Sequence, residues 1–94
     1  MPLFETLWRS CVAIHSREYL SGGDIVVVDC THQSNVLVMD DLNFSAWKRG
    51  SQYRYHGGFA TRFPTRVAVP HAASWNVVVE APNGARCGIR FARR

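Results

Sequence analysis

Ile25-Val26-Val27-Val28-Asp29-Cys30 is the stretch whose reading decides the fold. Four consecutive residues branched at Cβ are stiff side chains that suit an extended, half-buried backbone and not a helix. Thr31-His32-Gln33-Ser34-Asn35 follows as a polar connection, and Val36-Leu37-Val38-Met39 is a second apolar run closed by Asp40-Asp41. Two short apolar runs joined by a few polar residues predict a β-hairpin. On the other side, Ser21-Gly22-Gly23-Asp24 is dense turn chemistry, and Val12, Ile14, Tyr19 and Leu20 before it predict a strand.

Downstream the pattern breaks and then resumes. Leu42 to Gly50, with Phe44 and Trp47, reads as a one-turn helix or a wrapped loop that Asn43 can cap. Gln52-Tyr53-Arg54-Tyr55-His56 alternates polar and aromatic residues, which predicts a half-buried strand with its tyrosines on one face. Gly57-Gly58 ends it, permitting positive φ or a close backbone approach. Phe59 to Pro64 reads as a loop, Arg66 to Val69 as a short strand, His71 to Ser74 as a turn, and Trp75 to Glu80 as a strand. Asn83-Gly84 is the strongest hairpin signal in the chain. After it, Cys87, Ile89 and Phe91 alternate with Arg86, Gly88 and Arg90. Residues 1–12 fit either a short helix, on the spacing of Leu3, Phe4, Leu7, Trp8 and Cys11, or an extended arm. About six to seven short strands with frequent turn signals give an all-β class: a small antiparallel β-sandwich or partly open barrel over residues 13–92.

A chain of 94 residues is one domain. Its 47% apolar content suits a folded core, and 12% aromatic residues is high. The net charge of +4 is unevenly spread. Residues 1–47 carry Arg9 and Arg17 against six carboxylates. Residues 48–94 carry nine bases against Glu80 alone. All the bases but Lys48 are arginine, the side chain that forks onto carboxylate or phosphate and stacks on aromatic rings. The asymmetry implies an anionic partner, or pairing of the two halves across the fold.

Cys11, Cys30 and Cys87 are too few and too widely spaced for a disulfide framework or a zinc motif; Cys30 and Cys87 read as small buried hydrophobes. With no secretory leader and no apolar run of membrane-spanning length, these thiols predict a cytoplasmic location. His15, His32, His56 and His71 stand apart in sequence, so no metal or cofactor is expected. Asp40-Asp41, the only adjacent carboxylates, read as turn and cap residues. A catalytic pairing of either with His56 or His71 is the enzymatic alternative.

One constellation stands out. Trp47, Arg49, Tyr53, Arg54, Tyr55, His56, Gly57, Gly58 and Arg62 interleave bases and aromatics, with no acid between Asp41 and Glu80. Aromatic platforms with arginines between them grip single-stranded nucleic acid, a nucleotide or another anion; the same rings could also fill a thin core. These nine are the candidate ligand-binding residues.

Leu20-Ser21-Gly22-Gly23-Asp24, Asn35-Val36-Leu37-Val38-Met39-Asp40-Asp41 with Asn43-Phe44, Tyr55-His56-Gly57-Gly58, Phe63-Pro64, Val69-Pro70 and Trp75-Asn76-Val77-Val78-Val79 occur in an order that resembles the bacterial domain of unknown function 1883 family. The resemblance covers roughly Ala13 to Phe91. The chain departs from the family at Tyr55-His56, where an aromatic doublet is usual, and at Ala81-Pro82-Asn83-Gly84, where the turn is usually Gly-rich. The family brings no established activity. Members occur alone or fused to TIR domains, which implies by analogy a sensing or adaptor role. A non-enzymatic ligand-binding or protein-interaction module is therefore expected. A structural unit that self-associates, as a homodimer with twofold symmetry, is the alternative.

Overall fold

In the computed structural model, which describes residues 11–93, the β-branched runs all lie in strands. The order is β1 (Cys11–Leu20), β2 (Ile25–Cys30), β3 (Ser34–Asp40), α1 (Asp41–Arg49), β4 (His56–Ala60), β5 (Thr65–Ala68), β6 (Ala73–Pro82) and β7 (Cys87–Ala92). They form two antiparallel sheets, β1-β6-β3-β4 and β5-β2-β7, that stack without closing into a barrel. The first strand begins at Cys11; the helix-or-arm reading of the residues before it lies outside the described residues.

The core lies between the sheets. Val26 and Val28 of β2 face Val36 and Val38 of β3 and Val77 and Val79 of β6, with Leu20, Val69 and Trp75 completing the cluster. A fully buried valine or leucine is worth about 1.5–3 kcal/mol, so this cluster is the main favourable contribution. A second layer lies on the outer face of the larger sheet. There Leu37, Met39 and Val78 are covered by Phe44 and Trp47 of α1 and by Tyr53. That double cover is why β6 is buried without interruption from Trp75 to Val79 and does not alternate.

Both expected hairpins are corrected. β2 and β3 belong to different sheets, and so do β6 and β7. Val26, Val28, Val36 and Val38 stack face to face across the core instead of pairing side by side. The reason at 83–84 is dihedral. A two-residue hairpin of type I′ needs positive φ at both central positions, but only Gly84 has it (φ 93°). With the Ala85 N–H donating to the Pro82 carbonyl at 3.0 Å, this is the pattern of a type II turn, whose twist splays the flanking strands. Ser21 to Asp24 repeats it, with Gly23 at φ 93° and the Asp24 N–H on the Ser21 carbonyl at 2.9 Å. Two of these crossovers are tied together. The Thr31 N–H donates to the Arg86 carbonyl, and the Arg86 N–H to Thr31 Oγ1, both at 2.9 Å.

The crossovers also place Cys30 and Cys87 as register partners on β2 and β7, where they form a disulfide. This corrects their reading as unpaired hydrophobes and removes the thiol argument for a reducing compartment. Among the described residues no helix is long and apolar enough to cross a membrane.

The helix is longer than expected, and its cap is Asp40. The Asp40 carboxylate accepts from the Asn43 backbone N–H at 2.9 Å and from Asn43 Nδ2 at 2.8 Å, so Asn43 is a donor to the cap. Gly50 ends the helix in the left-handed region (φ 78°). Its N–H donates to the Trp47 carbonyl and the Ser51 N–H to the Ala46 carbonyl, which is a Schellman closure.

The strand expected over 52–56 is displaced: residues 51–55 are irregular and β4 starts at His56. β3 turns into α1 at Asp40, so residues before His56 have no strand to pair with, and the Arg54 N–H is taken by Asn43 Oδ1 at 2.8 Å. Gly57-Gly58 lies inside β4 instead of ending it. A Cβ on Gly57 (φ 112°) would sit 2.3 Å from the Val36 carbonyl oxygen, so the strand approaches β3 only because this residue is glycine.

Candidate functional site

A groove of about 530 Å³ lies where β3 gives way to α1, within the size range of small-ligand sites. Its walls come from three parts of the chain: Met39, Asp40 and Asn43; Tyr53 to His56; and His71 with Trp75. An adjoining depression of about 440 Å³ continues along Asn43, Gln52, Tyr53 and Arg54.

The local chemistry explains how these walls are held. The Asp40 cap fixes Asn43, and Asn43 holds the Arg54 backbone, so Tyr53 and Tyr55 are tethered to the helix start although no strand carries them. Their rings lie 5.8 Å apart and tilted by 40°. Tyr53 packs inward on the Leu37–Met39–Val78 layer, whereas Tyr55 is 46% exposed. On the opposite wall the buried Trp75 indole donates through Nε1 to the His71 carbonyl at 3.0 Å. The His71 ring lies 5.1 Å from the Trp75 ring and the His56 ring 5.8 Å from it. Gly22 supports the 70–71 bend from beneath, since a Cβ there would meet the Pro70 oxygen at 3.3 Å and His71 Cα at 3.4 Å.

The nine candidate residues are thus divided. Tyr53, Arg54, Tyr55 and His56 line the groove. Trp47 packs beneath α1, its ring 5.7 Å from Phe44. Arg49 is exposed in the last turn of α1, and Arg62 is exposed in the β4–β5 connection. Gly57 and Gly58 line a separate slot between β4 and β5. Trp75, Met39 and Asn43 join the groove without having been singled out for it. Trp75 is far in sequence from Met39 and Asn43, and the β3–β6 register brings it beside them.

The carboxylates are already engaged. Asp40 holds the helix start. Asp41 accepts from Arg17 Nη2 at 2.7 Å and Nε at 3.0 Å, and from Asn76 Nδ2 at 2.8 Å. The Arg17 hydrogen bond, reinforced by that of Asn76 and by the charges of Arg17 and His15, lowers the Asp41 carboxyl to about 2. Because Asn76 Nδ2 faces a carboxylate, Asn76 Oδ1 is the acceptor for His15 Nε2 at 2.9 Å, which places a hydrogen on that nitrogen. The His15 ring stacks on Phe44 at 4.2 Å and completes the network under α1.

Among the described residues the two halves of the chain neutralise each other only in part. Among the described residues of the basic half, Arg93 alone pairs with carboxylates, at 2.6 Å to Glu18 and 3.6 Å to Asp24. Lys48 lies over the Phe44 ring at 5.4 Å.

No curated protein and no solved structure matches the chain. The sequence profile described as Domain of unknown function (DUF1883) matches residues 12–93, nearly the whole chain, and the protein belongs to that family.

Proposed function

We propose that the protein is a non-enzymatic binding module whose working surface is the groove between Tyr53–His56 and His71–Trp75, and that its ligand is a planar, anionic small molecule of the nucleotide type. The observation that carries this reading is the meeting of Tyr55, His56, His71 and Arg54, all from the acid-free segment of the chain, around one depression whose lining carboxylate, Asp40, is held in the helix cap. Exposed rings offer stacking faces, and Arg54 offers a fork for phosphate or carboxylate. The engagement of Asp40 in a helix cap and of Asp41 in an ion pair favours binding over acid–base chemistry. In a cell this would serve a bacterial sensing or adaptor role.

The test is a thermal-shift screen of nucleotides and short oligonucleotides against the wild type, Arg54→Ala and Tyr55→Ala. A ligand of the groove raises the wild-type melting temperature and shifts both variants less. No shift by any nucleotide, or equal shifts in all three proteins, overturns the reading.

A further inference from the structure

β4 ends one sheet and β5 ends the other, and these two edges form a seam. Among the described residues β5 pairs only with β2, so its other edge presents backbone N–H and C=O groups with no described strand beside them. A slot of about 260 Å³ runs along this seam, lined by Val36, Gly57, Gly58, Thr65, Arg66 and Val67 among others. There is room at position 58, where a built Cβ meets nothing within 4 Å. The β4 edge is the poorer template, because Gly57 and Gly58 have φ of 112° and 143°.

We propose that the free edge of β5 takes up an extended acidic peptide as an added strand. Thr65 and Val67 are half-buried, Val67 against the core, and Arg66 is exposed at the rim of the slot, so β5 alternates inward and toward solvent. A strand laid against it alternates in the same way. Its residues beside Thr65 and Val67 enter the slot, and the residue between them stands next to Arg66 on the outer face. Arg66 and the nearby Arg62 have no carboxylate within ion-pair reach among the described residues. On the same outer row, across Val27, Arg90 adds a further positive charge. The occupant is therefore a peptide that alternates small apolar residues with Asp or Glu: backbone hydrogen bonds supply the docking, and the acid matched to Arg66 supplies the choice.

The test uses an end-blocked heptapeptide of alternating valine and glutamate, with a valine–lysine peptide as control, followed by amide NMR of the whole chain. The expected result is shifts centred on residues 65–68 and at least tenfold weaker binding of the lysine peptide. Arg66→Glu, an exposed change whose folding the same spectra verify, reverses that preference. Methylating alternate peptide nitrogens abolishes binding, since an added strand needs those donors. Arg54→Ala leaves peptide binding unchanged, which separates this edge from the groove. The proposal is overturned by no binding, by equal binding of the methylated peptide, by shifts centred elsewhere, by a short oligothymidylate binding β5 as tightly, or by the edge pairing with a second copy of the chain.

Discussion

Asp41 and Gly57 are the two residues whose chemistry is most exposed to test. The Asp41 carboxyl titrates at about 2 in the fold against an ordinary 3.8, so the unfolded chain takes up this proton first as the pH falls. The stabilisation from its bonds to Arg17 and Asn76 is complete above about pH 4 and fades as the pH drops toward 2. Denaturant titrations across that window should show a steep acid limb in the wild type and a shallower one in Asp41→Asn. An unchanged slope would assign the acid sensitivity to other groups. Gly57→Ala forces a Cβ to within 2.3 Å of a carbonyl oxygen on a strand fixed by its register. It should cost more than about 2 kcal/mol, read as a fall in the denaturation midpoint. Gly84→Ala, with open space around it but φ of 93°, should cost only about 1 kcal/mol.

At the scale of elements, α1 shows how little local signal a decisive element can carry. Leu42-Asn43-Phe44 suggests no long helix, yet nine residues are helical. Asp40 caps the start, Gly50 closes the end, and Phe44 and Trp47 find an apolar sheet face to cover. The element was legible only as a one-turn helix or a wrapped loop, because its full length is stabilised by packing on Leu37, Met39 and Val78. Asp40→Ala should lower stability by about 1 kcal/mol. It should also loosen the Tyr53–Tyr55 wall through Asn43, visible as broadened or shifted amide signals at residues 53–55; a stability loss with that wall unchanged would break the proposed link. The β2–β7 pair carries a second prediction. A cross-link between residues 57 apart stabilises by about 2–4 kcal/mol through the unfolded chain, so Cys30→Ser should lose an amount of that order. A non-reducing peptide map should join the Cys30 and Cys87 segments, and separate peptides would remove the pair.

Across the whole molecule, charge is the dominant unresolved tension. The exposed ion pairs Arg17–Asp41 and Arg93–Glu18 contribute little, whereas Lys48, Arg49, Arg54, Arg62, Arg66, Arg86 and Arg90 share one half of the chain with no carboxylate partner among the described residues. Raising NaCl from about 0.05 to about 0.5 M should therefore raise the denaturation midpoint slightly, because screening weakens repulsion more than it weakens attraction. A fall would mean that the pairs of Arg17 and Arg93 outweigh that repulsion.

The amino-acid sequence by itself determined the β class, the turns at Ser21–Asp24 and Asn83–Gly84, and the charge asymmetry between the halves. These depend on branching at Cβ, on glycine dihedrals and on composition, all properties of short windows. The family was also legible there, in the order of runs from Leu20 to Val79. Only the tertiary structure decided which sheet each strand joins. Turn residues alone do not choose between a hairpin and a crossover; type II geometry and burial of valines between two sheets do. The same non-local packing divided the candidate site. It drew Tyr53, Arg54, Tyr55 and His56 to His71 and Trp75, put Trp47 under the helix, and left the double glycine beside an open strand edge.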